Sequence, residues 1–427
     1  MILFFTEHLS ERVKYICHFI FKEQLGIEYR ITNDAEEAQQ HTYPVICYTS
    51  AKLNSDAFHI KPHGLLTETG IKEQEIVCFN TNEYRAFFEQ KVGDVSFDVL
   101  AAAFYLISRY EEYLPHKKDE YGRFSHTEST SFRNNFLHLP IVNIWITDLS
   151  VLLAKKFPAL NFFKPAFKCV LTYDIDMAWS YKKKGIIRNL GGFLLHPSIK
   201  RWKVLLGMEN DPFDSFSFID EMNRKSGTDV IYFMLMASRL SRFDKNISPE
   251  KKAMKQLINR IVKDYGMGLH PSWKSHKQPS LILKEKKKLE KIAGRQVINS
   301  RQHYIKMSMP DTYRKLIEAG IQHDFSMGYG SINGFRASMA GSFFWYDLHA
   351  ETTTSLRLFT FCFMDANSHY EQKLTPEASL KEIEHYLTIC KKYNGLFIPI
   401  FHNNFLGTDE NFKGWKEMYS EFISLLQ

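Results

Sequence analysis

The chain has 427 residues, 44% of them hydrophobic and 24% charged, with 55 Lys and Arg against 48 Asp and Glu for a net charge of +7. These values exclude wholesale disorder, collagen and coiled coil, and the length suits two domains better than one. The charge is mild, and the basic runs at 182–184 and 284–288 read as solvated faces rather than a nucleic-acid groove.

The opening MILFFTEHLSERVKY has no basic leader and meets charge by Glu7, so no secretory signal is expected. Short strand-like runs at 44–48 and 75–79 follow, mixed with helical ones. Residues 97–114 predict a helix on Leu100, Phe104, Leu106 and Ile107, ending in Arg109-Tyr110-Glu111-Glu112-Tyr113, an ion-paired helix end. The longest nearly uncharged apolar stretch, 99–108, is far short of the roughly 20 residues of a membrane helix. A polar segment at 116–131 precedes an amphipathic helix at 141–156 and a loop with Pro158 and Pro165. The cysteines at 17, 47, 78, 169, 362 and 390 form no C-x-x-C pair and read as reduced thiols of a cytoplasmic protein.

After residue 165 the pattern becomes regular. Apolar runs of strand length fall at 167–173, 230–236, 266–269, 295–299, 322–327, 358–364 and 395–401, with helical patterns between most of them. Ser248-Pro249-Glu250, Pro310 and Thr375-Pro376-Glu377 open helices, Gly320 stops one, and residues 414–426 form the last. The predicted architecture is α/β, with an N-terminal α/β domain over 1–160 and a parallel α/β unit over 165–427. That unit is either a barrel or a doubly wound sheet.

In a barrel the chemistry gathers at the C-terminal ends of the strands. The polar residues there are Asp174 and Asp176, His270, Arg301 and His303, Arg336, Asp365 and Asn367, and His402. Acids, imidazoles and guanidinium groups at strand ends suit a hydrolase that activates water. Trp273, beside His270, is the stacking candidate for a sugar ring, and Phe343 to Tyr346 read as core packing.

These motifs resemble the polysaccharide deacetylase (NodB-homology, carbohydrate esterase family four) family over about residues 167–410. Thr172-Tyr173-Asp174-Ile175-Asp176, His270-Pro271-Ser272, Gly334-Phe335-Arg336-Ala337-Ser338 and His402 carry the resemblance. Residues 300–329, and Ser108 to Tyr113 with Gly122-Arg123-Phe124, resemble a bacterial subgroup that carries an N-terminal domain of unknown function. The resemblance implies a distorted (β/α)7 barrel and metal-assisted removal of an N-acetyl group from a carbohydrate, a hydrolysis of a C–N bond other than a peptide. It implies Asp174 as general base, His402 as general acid, Arg336 orienting Asp174, and Asp176 and His270 as metal ligands. The implied cofactor is a divalent metal, zinc first, with Mn, Ni or Co as alternatives. The implied substrate is an N-acetylated sugar or polysaccharide precursor.

The sequence departs from the family at one position. Lys274 stands where a second ligand histidine is usual, and an ammonium there repels a cation. His276 or His303 could replace that ligand, with His303 preferred because it follows a strand; otherwise the metal is weakly held or absent. The alternative reading is therefore a degenerate, non-catalytic protein that binds glycan or a partner.

Overall fold

The computed structural model describes residues 1–81, 83–163, 165–195 and 198–427, with the side chains at 186, 187, 191, 193 and 195 outside the description. Ile2–Thr6 (β1) is buried along its whole length, as a strand covered on both faces requires. It lies inside a parallel four-stranded sheet with Tyr29–Thr32 (β2), Val45–Tyr48 (β3) and Phe58–Ile60 (β4), in the order β2-β1-β3-β4. Helices Glu11–Cys17 (α1), Ala35–Gln40 (α2), Val99–Ile107 (α3), Thr130–Arg133 (α4) and Ile141–Lys156 (α5) complete this part, with a small hairpin of Phe79–Asn80 (β5) and Arg85–Ala86 (β6). The expected strand at 75–79 thus contributes only Phe79.

The second part is one large sheet. Its strands are Lys168–Ile175 (β7), Asp229–Leu235 (β8), Gly266–His270 (β9), Asn299–Ser300 (β10), His323–Met327 (β11), Ser342–Asp347 (β12), Thr352–Thr360 (β13), Leu396–Phe397 (β14) and Ile400–His402 (β15). The order is β12-β13-β11-β10-β9-β8-β7-β14, with β15 also on β7, and every pairing is parallel except β12 with β13. The sheet curls until Met364 forms a parallel bridge with Ile400, which brings the segment after β13 against β15. Between the strands lie Ile186–Leu195 (α6), Ile199–Leu205 (α7), Phe216–Ser226 (α8), Lys252–Asp264 (α9), Ser280–Ala293 (α10), Asp311–Glu318 (α11), Pro376–Lys392 (α12) and finally Trp415–Ser424 (α13).

Local chemistry sets most boundaries. Thr375 Oγ1 accepts the Ala378 N–H at 3.2 Å and Pro376 opens α12, while Gly320 takes φ +74° just past α11. Three expectations are corrected. Ser248 does not cap a helix directly; it closes a turn with Lys251, and α9 starts at Lys252. The strand expected at 295–299 shrinks to Asn299–Ser300. No helix separates β11 from β13; the antiparallel β12 hairpin takes that place, so the alternation is broken there.

The apolar core runs unbroken from the first sheet into the second part. Tyr15 and Phe104 pack on Tyr346 with ring centroids 5.0 and 5.2 Å apart, and the Tyr15 hydroxyl donates to the Phe344 carbonyl at 2.7 Å. Asn143 donates to the Ala340 carbonyl and accepts its N–H. Among the described residues, no helix is long and apolar enough to cross a membrane.

Candidate active site and metal centre

Asp174, Asp176, His270, His303 and His402 converge at the C-terminal ends of the strands. Register does much of this: β15 pairs His402 with Asp174 of β7, and β8 pairs Leu235 with His270 of β9. Asp176 follows immediately after β7, and His303 lies three residues beyond β10.

Asp176, His270 and His303 place one ligand atom each within 4.8 Å of one another. The His270 Nδ1 lies 2.5 Å from the Arg301 carbonyl, which orients the ring so that Nε2 faces Asp176 Oδ1 at 3.1 Å. Asp176 Oδ1 is buried and accepts no hydrogen bond. His303 Nδ1 lies 3.1 Å from Asp244 Oδ1, and its Nε2 faces Asp176 Oδ2 at 3.4 Å. Acceptors turned toward a common point need a proton or a cation between them, and two of the three are oriented by outer partners as metal-bound imidazoles are. The chemistry of this donor set, two imidazole nitrogens and a carboxylate, fits a divalent cation such as zinc.

Charge agrees with this reading. Burial lifts the Asp176 carboxyl, but His303 and His270 outweigh it and hold it well below the usual carboxylate range. Burial lowers the His303 imidazole, yet Asp176 and Asp244 drive it up to about 9. A cation must therefore displace a proton from His303. Below pH 9 the protonated form competes with the metal, so affinity rises with pH, by about tenfold per unit, and levels off above it. Zinc titrations at several pH values, in buffers of different ionisation enthalpy, will show about one proton released per ion at pH 7; a pH-independent affinity would contradict this assignment.

Asp174 is buried beside this group. Its Oδ1 accepts from Arg301 Nη1 at 2.8 Å, and its Oδ2 lies 3.7 Å from His270 Nε2. Arg301 is fully buried; it also donates to Thr172 Oγ1 and to the Phe325 carbonyl, and stacks over the Phe233 ring at 4.3 Å. His402 is held on the other side by Asp365, which accepts its ring Nδ1–H at 2.6 Å and its backbone N–H at 2.7 Å. Its Nε2 lies 3.7 Å from Asp176 Oδ2. Burial lowers the His402 imidazole, but Asp365 and then Asp176 raise it to about 10.

Arg336 is the expected site residue that lies elsewhere. It donates to Glu112 at 2.8 and 2.5 Å and to the Gly328 carbonyl at 3.1 Å, and the Glu112 pair draws it away from Asp174. Arg301 pairs with Asp174 instead. The sequence offered Arg301 only as a polar residue at a strand end, two before His303. Asp244, in the loop after β8, and the partnership of Asp365 with His402 carried no signal of spacing at all.

Lys274 is exposed on a short 3-10 turn, Trp273–His276, and neither it nor His276 joins the ligand cluster. Trp273 is also displaced from the expected stacking role. Its ring is stacked on Phe243 at 3.9 Å and covered by the Lys306 ammonium at 4.3 Å. The cleft above the ligands, about 680 Å³, is lined by Tyr121, Phe243, Tyr304 and Tyr370 around Asp174, Asp176, His270, His303 and His402. Tyr121 and Arg123 come from the N-terminal part. Arg123 donates to the Tyr304 carbonyl at 2.7 Å and Lys306 to the Tyr121 carbonyl, which fastens this wall to the loop after His303.

Residues 2–158 match a family of unknown function (DUF7033). No curated protein matches the chain in sequence. Several solved structures are similar to this chain at low identity. A Mycobacterium smegmatis protein assigned as a polysaccharide deacetylase is 13% identical, covers 62% of this chain and 85% of its own, and gives a TM-score of 0.41. An allantoinase is 8% identical over 60% of this chain and 83% of its own, with a TM-score of 0.40. A family four carbohydrate esterase pseudoenzyme from Bacillus anthracis is 10% identical over 61% and 63%, with a TM-score of 0.31.

Proposed function

We propose that this protein is a metal-assisted hydrolase that removes an N-acetyl group from a carbohydrate. The reading takes residues 165–427 as a distorted (β/α)7 barrel of the NodB type and residues 1–160 as a separate domain that walls one side of its cleft. The observation that carries it is the convergence of two oriented pairs, Arg301 with Asp174 and Asp365 with His402, on either side of the Asp176, His270 and His303 cluster.

Asp176, His270 and His303 would hold a divalent cation, with zinc the best match to two imidazoles and a carboxylate. When bound, such a cation supplies Lewis-acid polarisation of water and of the acyl carbonyl. Asp174 Oδ2 takes the proton of the attacking water while the hydrogen bond from Arg301 aims the carboxylate. His402, carried as imidazolium by Asp365, donates its Nε2 proton to the departing amine nitrogen. The amide C–N bond breaks, a C–O bond forms, and acetate and free amine leave. The cleft's tyrosines and Phe243 give a sugar ring apolar surface, and Arg123 gives it a donor. The proposed substrate is an N-acetylated sugar or polysaccharide precursor.

The test is acetate release from N-acetylated chito-oligosaccharides and nucleotide-activated N-acetylhexosamines. Release should require the metal, stop with a chelator and return on adding zinc or manganese. The imidazolium of His402 is the active form, so the rate falls as pH rises toward about 10. A bound cation pulls that limb lower, and Asp365→Asn moves it lower still. Metal-loaded protein that releases no acetate from any of these substrates would overturn the reading.

A further inference from the structure

The segment between Asp176 and α8 takes no part in the reaction proposed above, yet its chemistry is distinctive. Between residues 177 and 208 the chain carries seven Lys or Arg and no Asp or Glu. Its described residues include the helices α6 and α7, which follow the strand end that bears Asp176.

Large apolar side chains stand in the open along it. Leu190 and Leu194, one turn apart on α6, are 53% and 75% exposed. Ile199 and Leu206, two turns apart along α7 and its end, are 78% and 70% exposed, and Met208 is 71% exposed. Trp202 and Leu205 join Leu190 and Leu206 in lining a groove of about 530 Å³, with Lys183 and Lys251 on its walls. Single exposed apolar residues are ordinary, but a periodic cluster of them amid unbalanced positive charge is not. Few acids are near to neutralise it: Lys203 meets Glu209 at 3.2 Å, and Lys251 and Arg188 donate to backbone carbonyls.

Helices with an open apolar row and flanking lysines lie in the headgroup boundary of anionic bilayers, where leucine and tryptophan side chains enter and lysines meet the lipid charge. A second copy of this face would meet it with like charge, which disfavours self-pairing. We propose that the face formed by α6 and α7 docks the protein on an anionic phospholipid surface. Arg188 donates to the carbonyl of Lys245 at 2.7 Å, and Lys245 lines the catalytic cleft, so docking holds the mouth of that cleft beside the bilayer. A substrate carried at the membrane surface would then reach the site without leaving it.

Sedimentation of the full chain with vesicles tests this independently of any turnover. It should pellet with phosphatidylcholine vesicles containing phosphatidylglycerol, far less with phosphatidylcholine alone, and less as salt rises. Lys183→Ser with Lys203→Ser should lower partitioning about 30-fold, and Leu194→Glu with Leu206→Glu should abolish it while sparing the far-ultraviolet circular dichroism. The proposal is overturned if the native chain stays in the supernatant with anionic vesicles at low salt, or if the double Glu variant binds as well. It is equally overturned if the native chain is a dimer that ignores vesicles and the double Glu variant a monomer.

Discussion

Replacing Asp174 with Asn should lower acetate release by about four orders of magnitude, the scale of losing a general base in a preorganised site, while metal content stays near that of the native chain. The separation of the two readouts follows from geometry. Asp174 Oδ1 is tied to Arg301, and Oδ2 lies 3.7 Å from His270, outside the cluster formed by Asp176, His270 and His303. Asn keeps the shape of the side chain and removes its capacity to take a proton. Arg301→Met should act through the same carboxylate: it loses the donor that aims Asp174, so the activity falls. Asp174→Asn with native rates would remove the base from this residue.

Glu112→Ala should destabilise the fold by about 3–5 kcal/mol, the cost of leaving buried charges without their partner. Glu112 is buried between two guanidinium groups, Arg109 at 2.7 Å and Arg336 at 2.5 Å, and Arg109 also donates to the carbonyl of Arg336. Burial pushes the Glu112 carboxyl up, but Arg336 and Arg109 outweigh it and bring it to about 2. A carboxyl lowered in the folded state stabilises that state above its unfolded value near 4.5 and loses the contribution as pH falls toward about 2. Urea unfolding of the native chain and the variant should therefore differ at pH 7 and converge in acid. Arg336→Ala should lose stability in the same way, and turnover per folded molecule should change little. An Arg336→Ala protein as stable as the native chain but inactive would return this arginine to the chemistry.

The contrast between Arg301 and Arg336 marks where sequence reading stops. Asp174, Asp176, His270 and His402 were legible because each lies where an apolar run meets a loop, and a parallel sheet brings such ends to one mouth. Both arginines satisfied that description. What separates them is Glu112, more than two hundred residues earlier in the chain, which captures Arg336 for the contact between the two parts. Asp365 was visible as an acid after a strand, but its pairing with His402 depends on the segment after β13 closing against β15. That His303 rather than His276 joins Asp176 and His270 was legible in outline, since His303 follows a strand and His276 does not.

The fold shows the same division. Long apolar runs such as that of β7 were placed to within a few residues, whereas β10 has only two paired residues and little pattern of its own. Phe343 to Tyr346 were recognised as core but not as the antiparallel β12, because aromatic runs serve a buried strand and a buried loop alike. Residues 2–6 were read only for the absence of a leader, yet form a strand inside the first sheet. The wall that Tyr121 and Arg123 give the cleft arises from tertiary packing between distant segments and left no mark in spacing.

Metal analysis of the purified native chain beside His303→Ala tests the central claim most directly. The native protein should carry about one equivalent of divalent metal and the variant close to none, with Asp174→Asn behaving as native. Equal metal in native and His303→Ala protein, or none in the native chain after incubation with zinc at pH 8, would contradict it.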